Sequence, residues 1–126
     1  MSDFEWVKAR AACSVVQMFE RLKLEIQQDI KDRNDLRPEN ERYYGFKFVA
    51  AKDSFAVVRQ GNQISGNTAF FCYADRIEIV RDEKPLFTAK VRLNDDGECV
   101  FDINGAEKHS WHLRNMALAS LFFEGL

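Results

Sequence analysis

The sequence predicts an α+β domain: a long N-terminal helix, an antiparallel meander sheet of five or six strands, and a C-terminal helix. Three observations carry that expectation. Residues 76–103 alternate apolar and polar with period two, residues 2–34 space their apolar positions by three and four without a Pro or Gly, and residues 110–123 repeat the helical spacing. A chain of 126 residues at 46% hydrophobic has enough apolar surface for one core and not for two, so 1–126 reads as a single domain.

The first helix spans 2–34. Ser2 followed by Glu5 is a capping-box pattern, and Val7, Ala11, Val15, Met18, Phe19, Leu22, Ile26 and Ile30 form its stripe. Phe4, Trp6, Cys13 and Val16 lie off that stripe, which makes the first half apolar almost all round and predicts burial on more than one side. About 32 helical residues run roughly 48 Å, whereas a seven-residue strand covers about 23 Å. Such a helix overhangs its sheet, so it either bends or packs against a second copy through a two-fold axis. A homodimer is expected, with Trp6, Val15, Phe19, Leu22 and Ile26 at its interface.

The sheet occupies 42–103. Asn34 to Glu41 is a polar connector closed by Pro38. Tyr44, Phe46, Phe48 and Ala50 share one parity of a strand from Tyr43, a turn follows at Lys52-Asp53, and Phe55 to Gln60 forms the next strand. Gly61 to Thr68 reads as a flexible loop. Thr68 to Arg81 is either one bulged strand or two. From there the odd positions Ile77, Ile79, Phe87, Ala89, Val91, Leu93, Cys99, Phe101 and Ile103 share one face. A three-residue loop at Asp95-Asp96-Gly97 pairs Leu93 with Cys99 and Val91 with Phe101, and puts Gly97 where a G1 bulge needs positive φ. The same count at Asp82-Glu83-Lys84 pairs Ile79 with Phe87. Asn104-Gly105 ends the sheet. Ser110 is the expected N-cap of a helix from Trp111 to Phe123, stopped at Gly125, whose large apolar residues cover the odd face.

With 18 basic and 20 acidic residues the net charge is −2 and neither sign forms a long run, which disfavours nucleic acid as the main partner. Three cysteines, Cys13, Cys72 and Cys99, are odd in number and far apart, the pattern of free buried thiols in a reducing compartment. The start of the chain is acidic at Asp3 and Glu5, and its longest uncharged run is too short to span a bilayer, so no membrane association and a cytoplasmic location are expected.

Four patterns could carry chemistry. Gly61-x-x-x-x-Gly66-Asn67-Thr68 has Walker A spacing, yet Asn67 stands where the phosphate-binding lysine belongs. His109 and His112 sit three apart at a helix start, but they are the only histidines, and a metal site needs further ligands. Cys72 and Cys99 lie among apolar strand residues, a setting for structural thiols and not for nucleophiles. Tyr43, Tyr44, Phe46 and Phe48, edged by Arg42, Lys47, Lys52 and Arg59, have the make-up of a face that stacks single-stranded bases, and equally that of a core.

The reading that follows is a small non-enzymatic binding or assembly module, a homodimer that takes a protein, peptide or apolar ligand, with no catalytic residues, metal or cofactor. One alternative is a small enzyme or ligand-binding protein whose pocket between sheet and C-terminal helix is lined by Trp111, His112, Arg114 and Asp102. Another is single-stranded nucleic-acid binding on the aromatic face. A closed interior filled by Phe87, Phe101, Leu118 and Phe122 favours the module; a polar cavity reached by His112 and Arg114 favours the pocket.

Overall fold

The computed structural model describes residues 3–41, 44–61 and 65–123. Ser2, Tyr43 and Gly125 therefore lie outside the described residues, and with them the expected capping box, the start of the first strand and the terminal stop. Three helices, α1 (Trp6–Ala12), α2 (Val15–Asp35) and α3 (Ser110–Phe123), accompany seven strands. These are β1 (Tyr44–Ala51), β2 (Ser54–Gly61), β3 (Ser65–Cys72), β4 (Ile77–Arg81), β5 (Lys84–Leu93), β6 (Cys99–Ile103) and β7 (Ala106–Lys108). They form one antiparallel meander in sequence order. The class is the α+β fold expected, with one strand more than the upper count.

The extra strand has clear local causes. Asn104 and Gly105 both take positive φ, the conformation of a two-residue hairpin turn, so the chain returns as β7 and does not leave the sheet. Residues 65–67 belong to β3 and not to a loop, and 68–81 are two strands joined by a tight reversal in which Tyr73 N–H donates to the Arg76 carbonyl at 2.8 Å.

The expected pairings hold at both later hairpins, by different devices. Leu93 faces Cys99 and Val91 faces Phe101 across a loop in which Gly97 has φ +80°. Ile79 faces Phe87, but the turn is the two-residue Asp82-Glu83, again with both φ positive. Val80 faces Pro85, which leaves Leu86 unpaired as a bulge that restores the apolar register.

The first helix is not continuous. Ser14 is extended, its hydroxyl accepts from Gln17 N–H at 3.1 Å, and it N-caps α2. The residue before it, Cys13, is disulfide-bonded to Cys99 of β6, 86 positions away, with the two Cα atoms 5.3 Å apart. Free thiols at these two positions are thus corrected to a bond, and only Cys72 is unpaired. Sequence could not show this, because pairing depends on the sheet bringing β6 under the helix start. At its other end α2 meets β1: the Asn34 side-chain amide donates to the Phe46 carbonyl and accepts from Phe46 N–H, both at 3.0 Å. One carboxamide thereby pairs with the sheet edge as a neighbouring strand would.

These two attachments overturn the length argument. The helix runs across the strands, not along one. Five inter-strand steps from β6 to β1 cover about 24 Å at 4.8 Å each, and the 21 residues of α2 rise roughly 31 Å, a diagonal over a twisted sheet. Nothing overhangs.

Both long helices cover the same face. Met18, Phe19, Leu22, Ile26 and Ile30 of α2 and Leu113, Ala117, Leu118, Leu121 and Phe122 of α3 share one core with Phe55, Val57, Phe70, Ile77, Ile79, Phe101 and Ile103. Phe19 packs on Phe55 at 5.1 Å between ring centroids, and Phe46 meets Phe122 edge-on at 4.8 Å. Two buried arginines join the helices to the sheet. Arg33 of α2 donates to the Phe122 carbonyl (2.9 Å) and the Tyr44 hydroxyl (3.0 Å), and Arg59 of β2 donates to the Leu121 carbonyl (3.1 Å). They satisfy carbonyls that the last turn of a helix leaves without partners, at the negative end of its dipole. Thr68 adds a hydroxyl bond to the Ala117 carbonyl at 3.2 Å.

Two substitutions test this arrangement. Arg33→Met strips partners from a buried carbonyl and a buried phenol, and is expected to lower stability by about 2 kcal/mol in urea unfolding. Phe19→Glu places a charge inside the core and is expected to abolish the cooperative unfolding transition; a folded Phe19→Glu protein would contradict the packing.

Candidate functional site

α1 is a seven-residue helix with no buried residue. Phe4 is 57% exposed, Trp6 64% and Val7 61%. The expectation that this apolar segment is buried on several sides is therefore corrected: its own chain buries none of the residues of α1, and only Ala9 among them is half-buried. What holds it is the Cys13–Cys99 bond at its C-terminal end and the Phe4 ring, which lies over Gly97. A Cβ built on Gly97 would come within 2.6 Å of that ring, so only glycine suits both the positive φ and the contact.

Between α1, the start of α2 and the ends of the strands beneath lies a groove of about 620 Å³, walled by Trp6, Val7, Ala11, Cys13, Val15, Ala74 and Val91. Arg10 and Asp75 supply its charge, and the Arg10 guanidinium donates to the Cys13 carbonyl at 3.2 Å. Of the five expected interface residues, Trp6 and Val15 meet here. Phe19, Leu22 and Ile26 do not: they face their own sheet, at 4%, 0% and 0% exposed. Their stripe looked available only because the helix was measured against the wrong dimension of the sheet.

The expected pocket set is split. Asp102 is on the outer face of β6, where it accepts from Arg92 Nε at 3.0 Å and from Gly105 N–H at 2.9 Å. Arg114 is on the helical side, bound to both Asp29 oxygens at 2.7 and 2.8 Å. Trp111 stacks on His112 at 3.6 Å, and the His109 and His112 rings are 6.1 Å apart. The interior that should separate the two readings is closed: Phe101, Leu118 and Phe122 are buried in it, with Phe87 at its margin.

A polar cleft of about 320 Å³ borders that interior at Met18 and Phe101, where Arg21, Glu25, Cys99, Lys108, His109 and Ser110 converge with Trp111 and Arg114, two of the four expected pocket residues. Its polar groups largely satisfy one another. The Ser110 hydroxyl donates to Glu25 at 2.6 Å and accepts from Arg114 Nε at 3.2 Å, so the expected N-cap instead ties α3 to α2. Burial pushes the neighbouring Asp29 carboxyl above its usual range, and pairing with Arg114 only partly offsets it. The ionised form is thus disfavoured in the fold. The favourable contribution of this group is fully present below the unfolded value of 3.8 and is lost as pH rises through its raised value.

Tyr44 and Phe46, the centre of the expected base-stacking face, are buried in the core. Gly66, Asn67 and Thr68 belong to β3, and Thr68 points inward to α3, so the Walker A spacing forms no phosphate cradle among the described residues. Among those residues no group of three or more His, Cys, Asp or Glu is gathered for a metal, and no helix is long and apolar enough to cross a membrane. Comparison with known proteins adds no relative: no family model matches the chain, and no curated protein and no solved structure matches it.

Two outcomes follow. Gly97→Ala is expected to cost about 1–2 kcal/mol and to loosen α1, measured as a lower melting temperature and faster proteolysis within residues 4–12. The Cys72 thiol is pushed up by burial first and by Asp53 and Glu20 after it. Alkylation of Cys72 should therefore be slow at neutral pH and accelerate on raising the pH past 9; fast labelling at pH 7 would refute that environment.

Proposed function

We propose that the protein is a small non-enzymatic assembly module that forms a homodimer through α1 and the groove beside it. The observation that carries this reading is the exposure of Trp6 and Val7 on α1, and of Phe4 just before it, in a segment that is nevertheless fixed in place. A mobile segment can hide apolar side chains by collapsing onto them, but a stapled one cannot. Large apolar residues held rigidly in water mark a surface that another molecule covers. A tryptophan beside an apolar groove has the make-up of an interface anchor. A second copy suits the geometry because each chain offers both Trp6 and the groove, so a two-fold axis lets each receive the other. A peptide or another protein with an apolar anchor is the other occupant of the same surface.

The compartment follows less directly. The cytoplasmic reading rested on free thiols and on the acidic start of the chain with its short uncharged run, and the Cys13–Cys99 bond removes the first of these supports. A reducing compartment would make the bond transient, whereas an oxidising one would preserve it. The number of titratable thiols in the freshly isolated protein, three or one, separates the two.

Light scattering at micromolar concentration tests the dimer. The expected mass is twice 14.6 kDa, and Trp6→Glu should return it to 14.6 kDa with an unchanged melting temperature. A wild-type mass of 14.6 kDa would remove the homodimer and leave the heterologous partner.

A further inference from the structure

The disulfide sits in the wall between two cavities. Cys99, partly exposed, lines the polar cleft, while Cys13, 2% exposed, lines the α1 groove on the other side. The two sulfurs also differ in their surroundings. Cys13 precedes the N-cap of the 21-residue α2, at the positive end of its dipole, and its carbonyl is held by the Arg10 guanidinium. A thiolate is stabilised in such a place and leaves readily. The cleft at Cys99 brings Arg21, Lys108 and Arg114 together with the carboxylates of Glu25 and Glu98, and Asp29 also pairs with Arg114, so an incoming thiolate meets cations within a locally balanced set of charges.

We propose that Cys99 is a thiol-exchange site: a thiolate entering the polar cleft attacks the Cys99 sulfur, expels Cys13, and so releases α1. The attacking sulfur forms a bond to Cys99 as the Cys99–Cys13 bond breaks, and its electron pair leaves on Cys13, which takes a proton from solvent. A second thiolate attacks the external sulfur of the mixed disulfide, forming an external disulfide and freeing Cys99. Two thiols are oxidised and one protein disulfide is reduced. α2 is unaffected because Ser14 caps it independently and its core residues stay buried. α1 loses its covalent anchor and keeps the Phe4 contact with Gly97 and its contacts with β5. For assembly, which rests on the α1 reading above, reduction then becomes the off-switch. The cleft and the groove have no lining residue in common, so a dimer formed through the α1 groove leaves the cleft at Cys99 open to attack.

The test uses the full chain carrying Cys72→Ser, so that only the bonded pair reacts. The oxidised protein is exposed to reduced glutathione, quenched with iodoacetamide and mapped by peptide mass. Glutathione on Cys99 with carbamidomethyl on Cys13, and at least a tenfold rise in proteolysis within residues 4–12, are expected. Adduct mainly on Cys13, reaction no faster than global unfolding, unchanged proteolysis, or a protein purified in air with no Cys13–Cys99 bond would each overturn the proposal. Light scattering of the same samples reads the assembly step separately: a protein monomeric before reduction defeats the dimer alone, and the adduct position still decides the exchange site.

Discussion

The structure depends on one helix laid diagonally across the sheet from β6 to β1 and attached at both ends. At one end the attachment is covalent, through Cys13 and Cys99; at the other it is a pair of hydrogen bonds between the Asn34 amide and the Phe46 backbone. Between them the stripe Phe19, Leu22, Ile26 and Ile30 crosses one strand after another. This orientation explains why a single helix can close most of a meander, whose neighbouring strands follow one another in sequence and whose long-range contacts have to come from elsewhere. It also protects an edge: β1 is the outermost strand among the described residues, and Asn34 occupies backbone groups that would otherwise recruit another chain.

α3 completes the lid by a different means. Its last carbonyls are received by Arg33 and Arg59, two cations that reach the interior because their hydrogen bonds run to backbone oxygens and the Arg33 guanidinium lies over the Tyr44, Phe46 and Phe123 rings, 5.9, 5.4 and 5.0 Å from their centroids. A buried charge is tolerable under those conditions and costly otherwise. The consequence for function is spatial. Both helices are spent on one face and the arginines receive the last carbonyls of α3, so the clefts described among these residues open at the margins of the packed interior, between the two helices and beside α1.

Much of this was legible in the chain, and the parts that were not share a cause. Alternation placed Ile77, Ile79, Ala89, Phe101 and Ile103 on one face, and loop arithmetic paired Leu93 with Cys99, because register follows from local spacing. The helix break was not legible: Ser14 is a good N-cap residue, but nothing before it stops a helix, and what fixes the break is a bond to a residue 86 positions on. β7 escaped because Ala106-Glu107-Lys108 carries no alternation, although Asn104-Gly105 is a strong hairpin signal in itself. Trp6 and Val15 were readable as surface candidates, whereas the burial of Phe19 and Leu22 required knowing which way the helix crosses the sheet. Arg114 and Asp102 were expected together between the sheet and the C-terminal helix, and pleat parity sends the second to the outer face.

α1 remains the segment whose existence the rest of the chain does not explain. Seven residues are too few to hold a helix in water, where nucleation is costly and isolated helices need roughly 12–15 residues. None of its side chains is buried, so packing does not supply the difference. The disulfide supplies part of it by fixing the C-terminal end, and the Phe4 ring on Gly97 fixes the other. Order and exposure are therefore coupled in this element: the constraints that keep it helical are the same ones that hold Trp6 and Val7 in water. A partner that covers those side chains adds the burial that α1 lacks, and a thiol that opens the bond removes the constraint on which the presented face depends.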